Sequence, residues 1–421
     1  MADACPSLCA RGYSAIIQAS SGGMTAGRRR ASRLVPAGPG VVVFERVVGT
    51  IPVMKPPRVL LGSIPCAGVL AAAMLGAGAC AADPAPFRLY VSNERSGDVS
   101  VIDGLTNQCI ATIPAGKRPR GIHMTPDGRT VYVALSGSPM TGPPPGALGK
   151  AGKPAKPPAD DDDDENKAKA DKAADGIGVI DAAKLTFSHK FPVGSDPEQF
   201  ALSLDGKHLI IANEDVATAS IIDLAQEKVS QLIAVGKEPE GVSVSPDGTF
   251  AYVTCEATGD LYAIKLGDAT IAAHITTGGR PRSAVFTPDG AKAYVASETN
   301  ATVYILDTRT QAVATTLKLE GGESVRPMGT AMAQDGKKVY VSTGRGGFVA
   351  VIDTATDRLI TTIKVGARPW GLAFSPDGTR LYAANGPSNN VSVIDVATQK
   401  EVARIAVGAS PWGIAVADAL K

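Results

Sequence analysis

The chain has 421 residues, is 44% hydrophobic and 20% charged, and carries a net charge of +1. That balance excludes a general electrostatic pull toward nucleic acid or anionic membrane, and it fits one large or two ordinary globular domains. Gly (46) and Pro (30) are plentiful and aromatics are few, a mix suited to many short strands joined by turns.

Residues 1–53 show no sustained hydrophobic period of either kind. They read as a misassigned or disordered upstream extension. From Met54 the order changes: a basic start (Lys55, Arg58), an apolar run, then small residues up to "AGACAAD". That is the layout of a secretory signal peptide over 54–82. Ala79-Cys80-Ala81 offers the cleavage site, so the mature chain is expected to begin at Ala82 or Asp83, with Met54 as the true start. Two other readings are weaker. An internal membrane anchor is disfavoured by the short run and Pro65. A lipoprotein acylated at Cys80 lacks the usual Leu three residues before the Cys. The expected location is the periplasm or outside the cell, with no membrane span in the mature protein. Four of the six cysteines (Cys5, Cys9, Cys66, Cys80) lie in or before this leader, and Cys109 and Cys255 are too few for a disulfide framework. No C-x-x-C-H motif occurs, so no cofactor is expected to be held covalently as a c-type haem.

The remaining sequence repeats itself. "RLYVSN", "TVYVAL", "HLIIAN", "FAYVTC", "KAYVAS", "KVYVST" and "RLYAAN" align on Tyr90, Tyr132, Ile210, Tyr252, Tyr294, Tyr340 and Tyr382. The steps between them are 42, 78, 42, 42, 46 and 42 residues. "VSVID" recurs seven times, ending at Asp103, Asp181, Asp223, Lys265, Asp307, Asp353 and Asp395. Pro-x-Gly, or a variant, recurs seven times from Pro119 to Pro411. Within a unit, four β-rich runs alternate with turn chemistry: "SPDGTR" for a tight reversal, and the Asp of "VID" to accept backbone N–H groups across the next turn. Four strands at a period of 42 make a propeller blade; β-solenoid repeats are shorter.

We letter the strands A to D, with A beginning at the Pro. The first repeat opens on a B strand ("FRLYVSN") and the chain ends on an A strand ("WGIAVA"), so the two ends are predicted to complete one blade together. The fold class is therefore all-β: a seven-bladed β-propeller over 83–421, four strands per blade, with the ring closed by the C-terminal strand. The 78-residue step holds an insertion at about 136–176, rich in Pro, Lys, Ala and Asp, which cannot bury enough apolar surface to order itself. Its run Asp160–Glu165 lacks the glycine and ligand spacing of an EF-hand and reads as a solvated acidic stretch.

"YVSN", "YVTC", "SPDG" and "VSVID" resemble the YVTN family of β-propeller repeats over residues 87–417. "YVSNERSGDVSVIDG", "GKRPRGIH", "DPEQFALS", "ANGPSNNVSVID" and "ARPWG" resemble one branch more closely, the PQQ-dependent catabolism-associated β-propeller proteins. The resemblance implies a periplasmic protein working beside quinoprotein alcohol oxidation. It carries over no catalytic residue. Cys255 departs from the Asn of YVTN, and Lys265 from the Asp of VID.

In a propeller the A strands line the axis, and the D–A and B–C connections emerge on one face. The residue after each Pro on that face is Trp412, Arg120, Glu198, Glu240, Arg282, Met328 and Trp370 in blade order. A repeating scaffold with a varying position suggests an asymmetric site. Trp370 and Trp412, with Arg120, Arg118 and Arg368, would suit a planar ligand bearing carboxylates. Glu198 and Glu240, with Glu214 and Glu256 at B-strand ends, would suit a cation or a basic patch on a partner. The bland alternatives are aromatic wedges between blades and a solvated rim. His123 stands where other blades carry mostly small residues; it is a ligand or base, or more commonly a packing histidine. No catalytic residue, metal cluster with histidine spacing, phosphate loop or dinucleotide fingerprint is found.

These signals lead to a non-enzymatic periplasmic binding protein. It would be accessory to PQQ-dependent alcohol oxidation, with a small anionic ligand, PQQ, a quinoprotein dehydrogenase or a cytochrome c at the funnel face. The alternative is a propeller lactonase or similar metal-dependent hydrolase. A third class is a propeller carrying haem.

Overall fold

The computed structural model describes residues 86–140 and 170–418. These form seven four-stranded antiparallel sheets arranged as the blades of a propeller. Blade 1 contains Phe87–Asn93, Asp98–Asp103 and Gln108–Pro114 as strands B, C and D, and Pro411–Asp418 as strand A. The C-terminal strand pairs with the N-terminal one through Leu89↔Val416 and Tyr90↔Ala415, as the split repeat predicted. Blades 2 to 7 follow in chain order. Helical structure among the described residues is confined to single 3₁₀ turns, and no helix is long and apolar enough to cross a membrane.

The strands sort by position in the blade. B strands are almost wholly buried, as in "FAYVTC", whereas D strands such as Lys228–Ala234 face outward along most of their length. Hydrophobic clusters lie between blades. One joins Leu89, Val91 and Ile102 of blade 1 to Tyr382, Ala384, Val391 and Val393 of blade 7. The repeat phrases each have a physical job. The Asn of the YVTN phrase sits buried and donates to the Ser of "VSVID" on strand C: Asn93 Nδ2 to Ser100 Oγ at 2.9 Å, and Asn385 Nδ2 to Ser392 Oγ at 2.8 Å. Asp103 Oδ1 accepts the N–H groups of Leu105 and Thr106 at 3.0 and 2.8 Å, which holds its carboxyl below the usual range. Asp127 Oδ1 does the same in the PDG turn, with Arg129 N at 3.1 Å.

Pro-x-Gly has a less obvious reason. A Cβ added at Gly371 would stand 2.6 Å from the carbonyl oxygen of Trp412, and one at Gly413 would stand 2.8 Å from that of Arg120. At these positions the backbone of the neighbouring A strand occupies the space a side chain would take, so glycine lets the inner strands crowd the axis. In blade 5 the glycine is replaced by Ser283, whose hydroxyl instead donates to the carbonyl of Met328.

Residues 1–85, and with them the upstream extension, the leader 54–82 and Cys80, lie outside the described residues. So does 141–169 of the insertion. The flanks of the insertion are ordered and tied together: Asp171 N donates to Gly137 O at 2.9 Å, and Gly137 N to Asp175 Oδ1 at 2.7 Å.

Candidate functional site

Three positions per blade meet at the face where the A strands begin. They are the residue before the Pro, the residue after it, and the residue that follows strand B. One backbone hydrogen bond brings them together: Glu94 N to Ser410 O, Glu214 N to Asp196 O, Glu256 N to Glu238 O and Glu298 N to Arg280 O, at 2.8–3.0 Å. The residue before the Pro takes a left-handed φ at Arg118 (41°), Asp196 (50°), Glu238 (51°), Arg368 (50°) and Ser410 (57°). Such φ values are costly for residues other than glycine, and they recur in the turns before the D strands, as at Asn107 (57°) and Gln311 (53°). Just past the Pro, the A–B pairing slips, for example between Pro239 and Val242, and this bulge turns the x side chain toward the axis.

The resulting charges interleave. They do not face each other across the funnel as an aromatic, cationic side and an acidic side, because each guanidinium is drawn to carboxylates on adjacent blades. In the first cluster Arg120 Nε donates to Glu94 Oε1 at 2.9 Å and Arg118 Nε to the same oxygen at 3.1 Å. Arg120 Nη1 also pairs with Glu198 and lies 3.8 Å from Glu214. Burial works against the charge on Arg120, but Glu94, Asp196, Glu214 and Glu240 outweigh it and raise its pKa further.

The second cluster spans blades 4 to 6. Arg282 Nε donates to Glu298 Oε2 at 2.6 Å, its Nη1 pairs with Glu256, and Glu240 lies 3.4 Å away. Arg280 Nε donates to Glu256 Oε2 at 2.7 Å, and Arg326 Nη1 to Glu298 Oε1 at 3.0 Å. Burial pushes the Glu256 carboxyl well above the usual range; Arg282 opposes this and the adjacent Glu240 reinforces it. Burial pushes Glu298 the same way, but Arg282 and Arg326 overcome it and hold its carboxyl low. The two neighbouring carboxyls are thus pushed in opposite directions, as an acid and a base in one site are.

Trp370 and Trp412 stack at 5.4 Å between ring centroids. Trp412 is 5% exposed, and Trp370 carries the guanidinium of Arg368 at 5.3 Å and that of Arg282 at 5.7 Å. A planar ligand would therefore have to displace a guanidinium from the open face of Trp370. His123 lies further along its strand, edge-on to Phe200 at 4.9 Å, and burial pushes its pKa down to about 4. It is a neutral ring at pH 7, placed as a packing residue.

The structure thus brings Arg118, Arg120 and Glu198 into one cluster and Glu240 into another, and sets Trp370, Trp412 and Arg368 beside the second. Sequence reasoning passed over Glu94, Asp196, Arg280, Glu298 and Arg326. Their signal was present as offset: Glu94 and Glu298 follow strand B as Glu214 and Glu256 do, and Arg280 and Arg326 precede the Pro as Arg118 and Arg368 do.

No curated protein sequence matches this chain. A family model described as "Lactonase, 7-bladed beta-propeller" matches residues 236–406, which are blades 4 to 7. Among solved structures, the periplasmic gluconolactonase PpgL of Pseudomonas aeruginosa is 19% identical, with 79% of this chain and 99% of that one covered at a TM-score of 0.60. A candidate 6-phosphogluconolactonase of Bacteroides fragilis is 16% identical, covering 80% and 100% at 0.62. Hydrazine synthase of Kuenenia stuttgartiensis is 20% identical, covering 70% and 89% at 0.57. The chain is a seven-bladed β-propeller, and its fourth to seventh blades are similar to those of the lactonase propellers.

Proposed function

We propose that the protein hydrolyses the lactone of a small sugar acid at the Glu256–Arg282 cluster. The observation that carries this reading is the lactonase match over 236–406, because that segment supplies Glu240, Glu256, Arg280, Arg282, Glu298 and Arg326. Opening a lactone needs a stabiliser for the carbonyl oxygen as water adds, a group to take a proton from that water, and a proton for the departing ring oxygen. Arg282 and Arg280 supply fixed positive charge for the first. Glu298, whose carboxyl is held low, can accept the proton, and Glu256, whose carboxyl is pushed up, can donate one. Arg280 and Arg326 have side chains 17% and 18% exposed, so they are the guanidinia within reach of a substrate carboxylate or phosphate. The gluconolactonase and 6-phosphogluconolactonase neighbours support a sugar-acid lactone as the substrate class. The leader-like segment 54–82 supports action in the periplasm.

The test is acid release from glucono-δ-lactone and from its 6-phosphate, followed by pH indicator above the spontaneous rate. Glu256→Gln should lower the enzymatic rate about 10²–10⁴-fold without loss of fold. A wild-type rate equal to buffer, or an undiminished Glu256→Gln, would reject the assignment.

A second reading keeps the face as a binding site for a planar anion such as PQQ, with a quinoprotein dehydrogenase or cytochrome c as partner. The Trp370–Trp412 stack beside Arg368 favours it. Saturable quenching of tryptophan emission by PQQ, with no lactone hydrolysis, would select it.

A further inference from the structure

Among the described residues, the acids of the first cluster outnumber the cations that reach them. A carboxylate oxygen from each of Asp196, Glu198 and Glu214 lies within 4.8 Å of the others. Asp196 is 4% exposed and Glu198 is 1% exposed. Among the described residues, Arg120 and Lys172 approach these acids. Arg120 reaches Glu198 and Glu214 but is shared with Glu94. Lys172 is engaged by Asp215 and Asp175. Asp196 Oδ1 is buried with no hydrogen-bond partner, and so is Glu198 Oε2. A buried carboxylate oxygen without a donor is costly, and two adjoining ones within a triad of acids are more so. The second cluster differs, with the three guanidinia of Arg280, Arg282 and Arg326 placed on Glu240, Glu256 and Glu298.

We infer that Asp196, Glu198 and Glu214 form a binding site for a hard divalent cation such as Ca²⁺ or Mn²⁺. Three carboxylates offer only hard oxygen donors, and their mutual spacing suits oxygens held around one ion. The ion would bond the partnerless oxygens of Asp196 and Glu198. Arg120 need not be expelled, because Glu94 already holds its Nε at 2.9 Å and can keep it when Glu198 turns to the metal. The site is supplied by blade 3 alone, outside the segment that carries the lactonase match, so it stands whether or not the lactone reading does.

The experiment is calorimetric titration of the full chain, stripped by chelator, with CaCl₂, MnCl₂ and MgCl₂, alongside thermal melts at each ion concentration. One ion per chain and a Tm that rises with ion concentration are expected. Asp196→Asn should weaken binding about tenfold or more. Asn tolerates the left-handed φ of 50° at this position, so the backbone has no reason to change. Arg120→Met removes the competing cation and should tighten binding about tenfold, an effect no structural role for the triad would produce. A full chain with Asp160 to Asp164 changed to Asn separates the site from the acidic run of the insertion, and it should bind as wild type does. Absence of stoichiometric binding of all three ions, unchanged affinity in Asp196→Asn, weaker binding in Arg120→Met, or loss of binding in the Asp160–Asp164 variant would each overturn the assignment.

Discussion

Arg282→Met tests the second cluster most directly. Arg282 is bonded to Glu256 and Glu298 and stands near Glu240, all of them buried. Methionine keeps an unbranched chain and removes the charge. Arg280 and Arg326 remain, but they contact Glu256 and Glu298 from the outer side and leave the inner oxygens unmatched. Removing one partner of a buried ion pair costs about 3–5 kcal/mol, most of it the stranded charge. At about 2.1 cal/mol/K per residue, a domain of this size should lose about 4–7 °C in Tm. The pH dependence has a definite sign. Glu298 is held below its usual range, so its contribution is present above the unfolded pKa and is lost as pH falls through the folded one. Glu256 is raised, so ionising it costs stability as pH rises. Without Arg282 both acids retain protons to higher pH, and the deficit should be greatest near about pH 8 and shrink toward about pH 5. Calorimetric melts of wild type, Arg282→Met and Arg282→Lys at both pH values provide the assay, with Lys expected to fall between. Equal Tm at about pH 8, or a deficit that grows on acidification, would refute the argument.

Deleting Pro411 to Lys421 removes the inner strand of blade 1 and exposes the backbone edge of Phe87–Asn93, so it should abolish cooperative melting, while deleting 141–169 should shift Tm far less. Gly371→Ala places a Cβ 2.6 Å from the Trp412 carbonyl and should cost about 1–3 kcal/mol, whereas Gly267→Ala, with nothing within 4 Å, should be neutral in chemical denaturation. In a chain starting at Ala82, an aromatic disulfide reagent should label one thiol, the exposed Cys109, and label Cys255 only on unfolding, because Cys255 is buried and its thiol is pushed up to about 12.

The fold was legible because its signals are local and repeated. The Tyr of each B strand, the Asp of "VID" and the split between "FRLYVSN" and "WGIAVA" each specify a strand, a turn or a closure without reference to distant residues. Pro-x-Gly could be seen but not explained, since what fills the glycine's empty side is the carbonyl of a neighbouring blade, 41 residues away for Gly371 and Trp412. The site was half legible. Arg120, Glu198, Glu240, Arg282 and the two tryptophans were found by reading one position around the ring. Their pairing was not, because Arg282 reaches from blade 5 to Trp370 on blade 7, and Glu94 meets Arg120 only once strands B and A of different blades are side by side. Glu298 was overlooked for a related reason: a charge recurring at a fixed offset reads as a solvated rim until its burial is known.

The pairing of Pro411–Asp418 with Phe87–Asn93 also bears on the order of events during folding. Blades 2 to 7 are each built from neighbouring segments and can form as the chain appears. Blade 1 alone must wait for the last strand. Bringing its two ends together costs only about 2 kcal/mol more than closing a loop the length of one blade, because closure entropy grows with the logarithm of length. The delay is therefore set by synthesis and not by the entropy of the search. Until that strand arrives, six blades stand assembled beside a three-stranded blade 1 whose Phe87–Asn93 edge is unpaired, and in that interval the chain is most exposed to pairing with another copy of itself.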